Sequence, residues 1–150
     1  MPDNRDAKLK IRKSLSGGTE VFDVFRKKYV KLSPEEKVRQ DFLRFLVGKK
    51  HFPASLISVE KGLTVNGLQK RFDAVAYNNN GSPLVLMEFK SSSVKIRQSV
   101  FEQVSVYNII LKVKYLIVSN GITSYCCRVD YKDKKIEFLN DIPDYTEIKP

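Results

Sequence analysis

The stretch KRFDAVAYNNNGSPLVLMEFK, residues 70–90, does most to decide the fold of this chain. Two apolar segments flank residues 78–81, Asn-Asn-Asn-Gly, a sequence typical of a tight turn. The pattern predicts a β-hairpin whose second strand is apolar over residues 84–87 and then carries two charges, Glu88 and Lys90. Because side chains two residues apart in a strand lie on the same face, these two charges project together.

Further segments extend this hairpin into a sheet. Residues 56–60 are strand-like and lead through a turn at 65–68 into the strand 70–77, which predicts a meander of three strands. Apolar residues at helical spacing then predict a helix over residues 93–112. The apolar segment 115–118 follows as a buried strand, and the long connection to it favours parallel pairing with the strand before the helix.

The remaining elements lie at the two ends of the chain. Ser33 and Pro34 predict the start of a helix that runs to about Val47 and is closed by Gly48. Strand patterns near 125–130 and 135–139 predict a C-terminal hairpin, followed by a loose acidic end from Asp141. Residues 1–19 are expected to form a flexible basic arm, and residues 20–150 a single domain.

The composition fits a folded protein with a polyanionic partner. A chain of 150 residues with 42% hydrophobic residues can bury its own core. No apolar run approaches the roughly 20 residues of a membrane helix, and no apolar segment follows the basic N-terminus, so we expect a cytoplasmic protein with no membrane partner. The net charge of +10, concentrated in the first two thirds, favours nucleic acid as a partner.

The cysteine and histidine content limits the metal chemistry. Cys126 and Cys127 are adjacent, and a disulfide between neighbours on a strand would be strained, so both are expected to be reduced. With His51 as the single histidine, a zinc site has too few ligands. A metal bound by this chain would therefore be held by oxygen.

A second carboxylate, Asp73, lies inside the first strand of the hairpin, where aspartate is unfavourable and costly to bury. Alone, Glu88 and Lys90 are more typical of a surface ion pair. For Asp73, the alternative to a functional role is a turn cap or a partner of Arg71. If the hairpin instead brings the two carboxylates together, they repel unless a divalent cation neutralises them. Mg²⁺ suits such a site because it uses few carboxylates and completes its shell with water and phosphate oxygens.

These motifs resemble the PD-(D/E)-x-K nuclease superfamily, in which an Asp precedes a Glu-x-Lys motif within the order helix, three strands, helix, strand. Gln103 and Tyr107 are similar to the Q-x-x-x-Y element of its RecB-like branch. Over about residues 20–140 the chain most resembles the N-terminal nuclease-like domain of type I restriction enzyme R subunits. The segments that carry this resemblance are PEE (34–36), VRQ (38–40), EKGL (60–63), RFD (71–73) and YCCR (125–128).

The resemblance implies a fold and a set of roles. The fold would be α/β (α+β), a restriction-endonuclease-like core with a mixed sheet and a C-terminal hairpin. Asp73 and Glu88 would bind Mg²⁺ or Mn²⁺, with the backbone carbonyl of Phe89 as a third donor. Lys90 would orient or activate the attacking water.

Other residues are expected to border this site. Gln103, as a catalytic residue, and Tyr107 would contact metal-bound water or the DNA backbone. The alternatives are that Gln103 is an ordinary polar residue of the helix and that Tyr107 is an aromatic residue of the core. Glu36 is either a further metal ligand or the capping-box partner of Ser33. The basic residues expected to contact nucleic acid, beside Tyr107, are Arg39, Lys70 and Arg71.

The implied function is that of a metal-dependent endonuclease, a hydrolase of DNA phosphodiester bonds, with other restriction-modification or defence subunits as partners. Phe72 replaces the nominal proline of the motif, a common variation. The sequence has no G-x-x-x-x-G-K-[ST] phosphate loop, so ATP-driven translocation is not expected. Two alternatives remain: a non-catalytic nucleic-acid-binding or accessory protein of a restriction, defence or repair system, and a structural or regulatory partner protein.

Overall fold

Strands dominate the architecture. The computed structural model describes residues 9–65, 67–99, 101, 112–133 and 135–149, without the side chains of residues 61, 63, 65, 68 and 70. Within these ranges the strands form two sheets. The smaller sheet is antiparallel, in the order β1 (Ile11–Lys13), β2 (Thr19–Asp23), β3 (Lys28–Lys31). The larger sheet has its strands in chain order: β4 (Ile57–Val65), β5 (Leu68–Tyr77), β6 (Pro83–Phe89), β7 (Tyr115–Ser119), β8 (Ser124–Asp130) and β9 (Lys135–Leu139).

The larger sheet is mixed, which confirms the predicted fold class. β6 and β7 run parallel, with Val85 paired to Tyr115 and Phe89 paired to Ser119, whereas the other neighbouring strands are antiparallel. A parallel pair requires a long crossover, which here spans residues 90–114. The helix predicted to start at residue 93 begins at residue 98, and residues 100 and 102–111 lie outside the described residues.

One long helix, α1 (Pro34–Lys49), follows the small sheet. Ser33 is its N-cap and accepts a hydrogen bond from the Glu36 N–H at 3.1 Å, and Pro34 occupies the first turn, both as predicted. The helix does not end at Val47, because Gly48 adopts helical geometry. It ends instead before His51, whose φ of 60° is left-handed and lets the Phe52 N–H bond back to the Leu46 carbonyl.

Two hydrophobic clusters cover the two faces of the large sheet. On one face α1 packs Val38, Phe42, Leu43 and Leu46 against inward side chains of the sheet, and the rings of Phe42 and Phe89 lie 5.4 Å apart. The other face buries a second cluster, which includes Val75, Leu86, Phe101, Leu116, Val118 and Cys127. β6 and β7 are therefore buried on both sides, which explains their uninterrupted apolar sequences.

The N-terminal segment expected to form an arm contributes a strand. Residues 1–8 lie outside the described residues, but β1 pairs with β2, with Ile11 opposite Val21. β2 begins at Thr19 and so spans the boundary predicted between residues 19 and 20. The physical reason is backbone pairing, because the three exposed side chains of β1 give no periodic signal while its N–H and C=O groups bond to β2. The domain limits of 20–150 stay a prediction.

The C-terminal segment is docked onto the core, so the loose end expected after Asp141 is wrong for residues 142–148. A short helix, α2 (Tyr145–Ile148), begins after its N-cap Asp144. Tyr145 and Ile148 are buried, and the Tyr145 hydroxyl donates to the Tyr77 carbonyl at 3.1 Å.

Cys126 and Cys127 are both free and buried, as predicted. They lie on opposite faces of β8, one in each hydrophobic cluster. They are therefore core residues.

In the part of the chain that the structure describes, no helix combines the length and the apolar character that crossing a membrane requires.

Candidate active site

The pairing of β5 with β6 brings together Asp73, in the middle of β5, and Glu88, near the end of β6. Ala74 pairs with Met87, so the next residues outward in the same register, Asp73 and Glu88, lie opposite each other. The Asp73 Oδ2 atom accepts a hydrogen bond from the Phe89 N–H at 2.7 Å. Both acidic side chains are half-buried. The hairpin therefore places two carboxylates side by side, one of them oriented by the backbone of β6.

The electrostatics of Glu88 reflect this arrangement. Burial is the main cause that raises the pKa of Glu88, and the charge of Asp73 together with a hydrogen bond between the two carboxyl groups adds to it. The charge of Lys90 acts in the opposite direction, and the resulting pKa is about 8. Without a cation, the pair holds a proton more readily than an isolated glutamate does.

Lys90 follows directly after β6 and stays in register with the neighbouring strand. Its backbone N–H donates to the Ser119 carbonyl at 2.9 Å, which continues the parallel pairing with β7 past the end of β6. The side chain is half-buried, and its charge acts on Glu88. The ammonium group therefore accompanies the carboxylate pair, as the strand alternation predicts.

The two carboxyl groups suit a hard divalent cation. Both supply oxygen ligands, and a cation bound between them would relieve their mutual repulsion. Among the described residues, no group of three or more His, Cys, Asp or Glu side chains is placed to hold a metal ion. The chemistry that fits is that of Mg²⁺ or Mn²⁺, which needs only one or two protein carboxylates and takes its other ligands from water and phosphate.

Glu36 lies in a cluster of ion pairs that connects the small sheet, α1 and β4. Its Oε1 atom accepts from Arg26 Nη2 at 2.6 Å and from Gln40 Nε2 at 2.8 Å, and its Oε2 atom bonds to Arg39. Burial acts to raise the pKa of Glu36, but the hydrogen bonds from Arg39 and Gln40 outweigh it and leave that pKa lowered. The Glu36 carboxylate is therefore ionised and held by cations of the protein itself.

Glu60 extends this group of side chains, which we call the arginine cluster: Asp23, Arg26, Glu36, Arg39, Glu60 and Arg71. Glu60 binds Arg71 at 2.7 Å and Arg26 at 3.1 Å. Its φ of 54° is left-handed, which is unfavourable for a glutamate within a strand. The pairs Val59–Ala74 and Lys61–Phe72 flank this position, so the distorted residue lies across from Asp73.

A different acid of α1 acts on the candidate site. The charge of Glu35, an exposed residue in the first turn, contributes to raising the pKa of Glu88. The sequence interpretation named Glu36 and missed Glu35. The sequence did contain a signal that separates the two acids. Glu36, Arg39 and Gln40 are spaced i, i+3 and i+4 and share one face of α1. Glu35 therefore lies on a different side of the helix.

The residues expected to bind nucleic acid differ in their exposure to solvent and in their ion pairs. Arg39 is buried and paired with Glu36, so it is not available at the surface. Arg71 is exposed but pairs with Glu60. The side chain of Lys70, and Gln103 and Tyr107 entirely, lie outside the described residues.

The mixed sheet flanked by helix α1, with an acidic pair and a lysine at the end of its central hairpin, defines a restriction-endonuclease-like domain. Residues 34–143 match the family model described as the type I restriction enzyme R protein N terminus. The chain belongs to this family.

Two solved structures share the fold. One is a fragment assigned as the HsdR subunit of a type I restriction enzyme from Vibrio vulnificus YJ016, with 21% identity, a TM-score of 0.57 and coverage of 78% of this chain and 24% of that one. The other, assigned as a nuclease belonging to DUF820 from Anabaena variabilis ATCC 29413, has 10% identity, a TM-score of 0.51 and coverage of 91% and 86%. This chain therefore spans about a quarter of the length of the Vibrio fragment. No curated protein matches the sequence.

Proposed function

We propose that this chain is a divalent-metal-dependent nuclease that hydrolyses phosphodiester bonds of DNA. The observation that carries the proposal is the register of β5 and β6, which sets the Asp73 and Glu88 carboxyl groups against each other with Lys90 beside them. Membership in the R-subunit N-terminal family supports it. An acidic pair alone has a structural explanation, but an acidic pair with a lysine in a nuclease-like fold favours phosphodiester chemistry.

Each residue of the pair has a part in this chemistry. Asp73 and Glu88 would hold Mg²⁺ or Mn²⁺, which when bound supplies charge neutralisation and polarises the phosphate and water. The Phe89 N–H keeps the Asp73 carboxylate oriented. During hydrolysis a water oxygen bonds to phosphorus and releases a proton to solvent, the bond from phosphorus to the leaving sugar oxygen breaks, and that oxygen takes up a proton from solvent. The Lys90 ammonium stabilises the negative charge that grows on the phosphate oxygens.

Glu36 is not needed as a ligand in this proposal. Its carboxylate is already bound by Arg26, Arg39 and Gln40. We assign it to holding α1 against the small sheet. Gln103 and Tyr107 keep the roles that the family resemblance implies, at the border of the site and on the DNA backbone.

The wider setting follows from the same family. In a cell, the chain would act on DNA in the cytoplasm, together with other subunits of a restriction-modification or defence system. Its high positive charge favours DNA over an acidic protein partner, because repeated phosphates reward many lysines and arginines at once.

The test is nicking of supercoiled plasmid DNA by the purified chain with Mg²⁺ or Mn²⁺. We expect conversion to the open circle, stopped by EDTA. Asp73→Asn removes a ligand charge and Lys90→Ala removes the ammonium, so each should slow nicking by about 100-fold or more. Lys132→Ala, at the exposed turn between β8 and β9, is the matched control and should cleave like the wild type.

Equal nicking by the wild type, Asp73→Asn and Lys90→Ala would exclude this site as its source. A wild type that binds DNA but cleaves it with neither metal would leave the non-catalytic DNA-binding function in its place.

A further inference from the structure

The outer face of the small sheet carries a cluster of cations and aromatic rings. Side chains that lie opposite each other in an antiparallel sheet share a face. The register pairs Arg12 with Glu20 and Glu20 with Lys31, and it pairs Phe22 with Tyr29. Lys10 lies opposite Phe22, whose N–H bonds to the Lys10 carbonyl. We call this surface the basic face: Lys10, Arg12, Glu20, Phe22, Tyr29 and Lys31.

The aromatic rings on the basic face hold the cations in place. Phe22 and Tyr29 pack edge to face with their centroids 5.3 Å apart. The Arg12 guanidinium lies 3.7 Å from the Tyr29 centroid, and the Lys10 ammonium lies 5.9 Å from that of Phe22. Because the cations lie over these half-buried rings, the face presents ordered charge and leaves little open ring surface for stacking with bases.

The opposite face of the small sheet is turned inward. Val21 and Asp23 alternate with the residues of the basic face, and both are fully buried. The orientation of the basic face toward solvent is therefore fixed by packing, not by a free hairpin.

Positive charge exceeds negative charge throughout this sheet. Glu20 is paired with Arg12 at 3.0 Å, and Asp23 is buried against Arg26. The exposed cations of residues 9–31 are Lys10, Arg12, Lys13, Lys27, Lys28 and Lys31. Of these, only Arg12 forms an ion pair with an acid among the described residues. Such a set of unneutralised cations complements a row of phosphates.

The small sheet is attached beside the candidate active site. Arg26, in the turn between β2 and β3, binds Glu36 of α1 and Glu60 of β4. Glu60 lies across from Asp73 in the pairing of β4 with β5. The sheet precedes residues 34–143, which match the family model.

We propose that the basic face binds the phosphate backbone of the DNA on which the Asp73–Glu88 pair acts. This inference rests on the proposed function, because it identifies the surface that holds the substrate. It replaces Arg39, which is buried, as the source of cations for the DNA. The cations on this face would contact phosphate groups, so binding would not depend on the base sequence of the DNA.

The test is binding of a short fluorescent DNA duplex of mixed sequence, and of one of its strands, with EDTA present to prevent cleavage. The variant Lys10→Gln with Lys31→Gln removes two charges and leaves an uncharged polar side chain at each position. The control, Lys132→Gln with Lys135→Gln, makes the same charge change in the β8–β9 hairpin, at the other end of the large sheet from β4. Thermal unfolding checks that both variants stay folded.

We expect the basic-face variant to bind either DNA about tenfold more weakly near physiological salt, and the slope of log K against log salt to become shallower by about 1.8 for duplex. The hairpin control should bind like the wild type. If both variants bind alike, or if the wild type binds neither DNA, the inference is wrong. Nicking by the wild type, lost in Asp73→Asn, decides the proposed function separately, so equal binding by both variants with nicking intact overturns the inference alone.

Discussion

Glu88 illustrates at the scale of a single residue how an acid of the candidate site costs stability. Its carboxyl group is half-buried against Asp73, and burial first and that neighbour second raise its pKa to about 8. Glu88→Gln keeps the shape and is neutral without binding a proton on folding, and its amide can donate to Asp73. We expect the metal-free variant to be more stable than the wild type by about 1 kcal/mol. Urea unfolding at neutral pH with EDTA measures this difference.

Activity should change in the opposite direction in the same variant, because the amide is a poor ligand for Mg²⁺. The control must be a glutamate-to-glutamine change at an exposed position away from the pair. Glu147→Gln, at an exposed position of α2, provides one and should alter neither stability nor nicking appreciably. A Glu88→Gln variant less stable than the wild type would mean that the carboxyl pair is a stabilising contact.

Glu36 provides a second residue-scale prediction, which separates a structural role from a metal ligand. Glu36→Ala leaves the buried Arg39 without its main partner, and breaking a buried ion pair in this way costs about 3 kcal/mol or more. Glu36→Gln retains hydrogen-bond acceptance and should cost less. Both changes are measured by denaturant unfolding with EDTA present.

The nicking rate of folded Glu36→Gln then distinguishes the two roles. A structural residue leaves the rate close to that of the wild type when the variant is folded. A metal ligand would instead give a stable protein that nicks as poorly as Asp73→Asn.

At the scale of elements, the sequence predicted those helix starts and turns that depend on interactions between neighbouring residues. The start of α1 follows from Ser33 and Pro34, and the β5–β6 turn from residues 78–81, because capping and turn chemistry act over a few residues. The same hairpin determined which acids face each other, so much of the candidate site could be derived from the sequence.

The elements that the sequence did not predict depend on distant partners. β1 has exposed side chains and exists through its pairing with β2. The end of α1 depends on His51 and on Phe52, whose ring packs 5.2 Å from that of Tyr145, 93 residues later. The inward orientation of Glu36 likewise depends on Arg26, which the turn of the small sheet supplies. Such tertiary contacts leave no periodic pattern in the sequence.

The docking of α2 gives a prediction at this scale that depends on pH. The Asp144 carboxylate caps the helix by accepting from the Thr146 N–H at 2.9 Å, and it lies 2.5 Å from His51 Nδ1. The Thr146 hydroxyl also donates to this carboxylate, at 2.6 Å, and this hydrogen bond is the first cause that lowers the pKa of Asp144, to about 2. Because the folded pKa is below the unfolded value, the stabilisation is present above about pH 4 and is lost as the pH falls toward 2.

The variant Asp144→Asn keeps a capping oxygen but has no charge to lose. The wild type should therefore be more stable than Asp144→Asn above pH 4, and thermal unfolding of both between pH 2 and 5 should show the difference shrink as the pH falls. Asp144→Ala should be less stable by about 1 kcal/mol at neutral pH because the cap is removed. A constant gap between wild type and Asp144→Asn over this range would contradict the role assigned to the charge.

At the scale of the whole molecule, the two sheets carry different charged groups. The large sheet carries the acidic pair on β5 and β6, whose apolar neighbours are packed on both faces and leave little freedom to move. The small sheet carries exposed cations, and the arginine cluster joins it to α1 and β4. The molecule thus carries an acidic pair on one sheet and exposed cations on the other, charges of the two signs that would suit a metal cation and a polyanion bound together.

Metal binding should consequently stabilise the whole fold. A cation that binds only the folded chain shifts the free energy of unfolding by RT ln(1 + [M]/Kd), about 2.7 kcal/mol at a hundredfold excess over Kd. For a domain of this length each kcal/mol raises the Tm by roughly 2–4 °C. We expect Mn²⁺ or Mg²⁺ to raise the Tm of the wild type and not that of Asp73→Asn, with NaCl at matched ionic strength as the control. An equal rise in both proteins would place the bound metal elsewhere, because relief of the repulsion between Asp73 and Glu88 is what couples the cation to the fold.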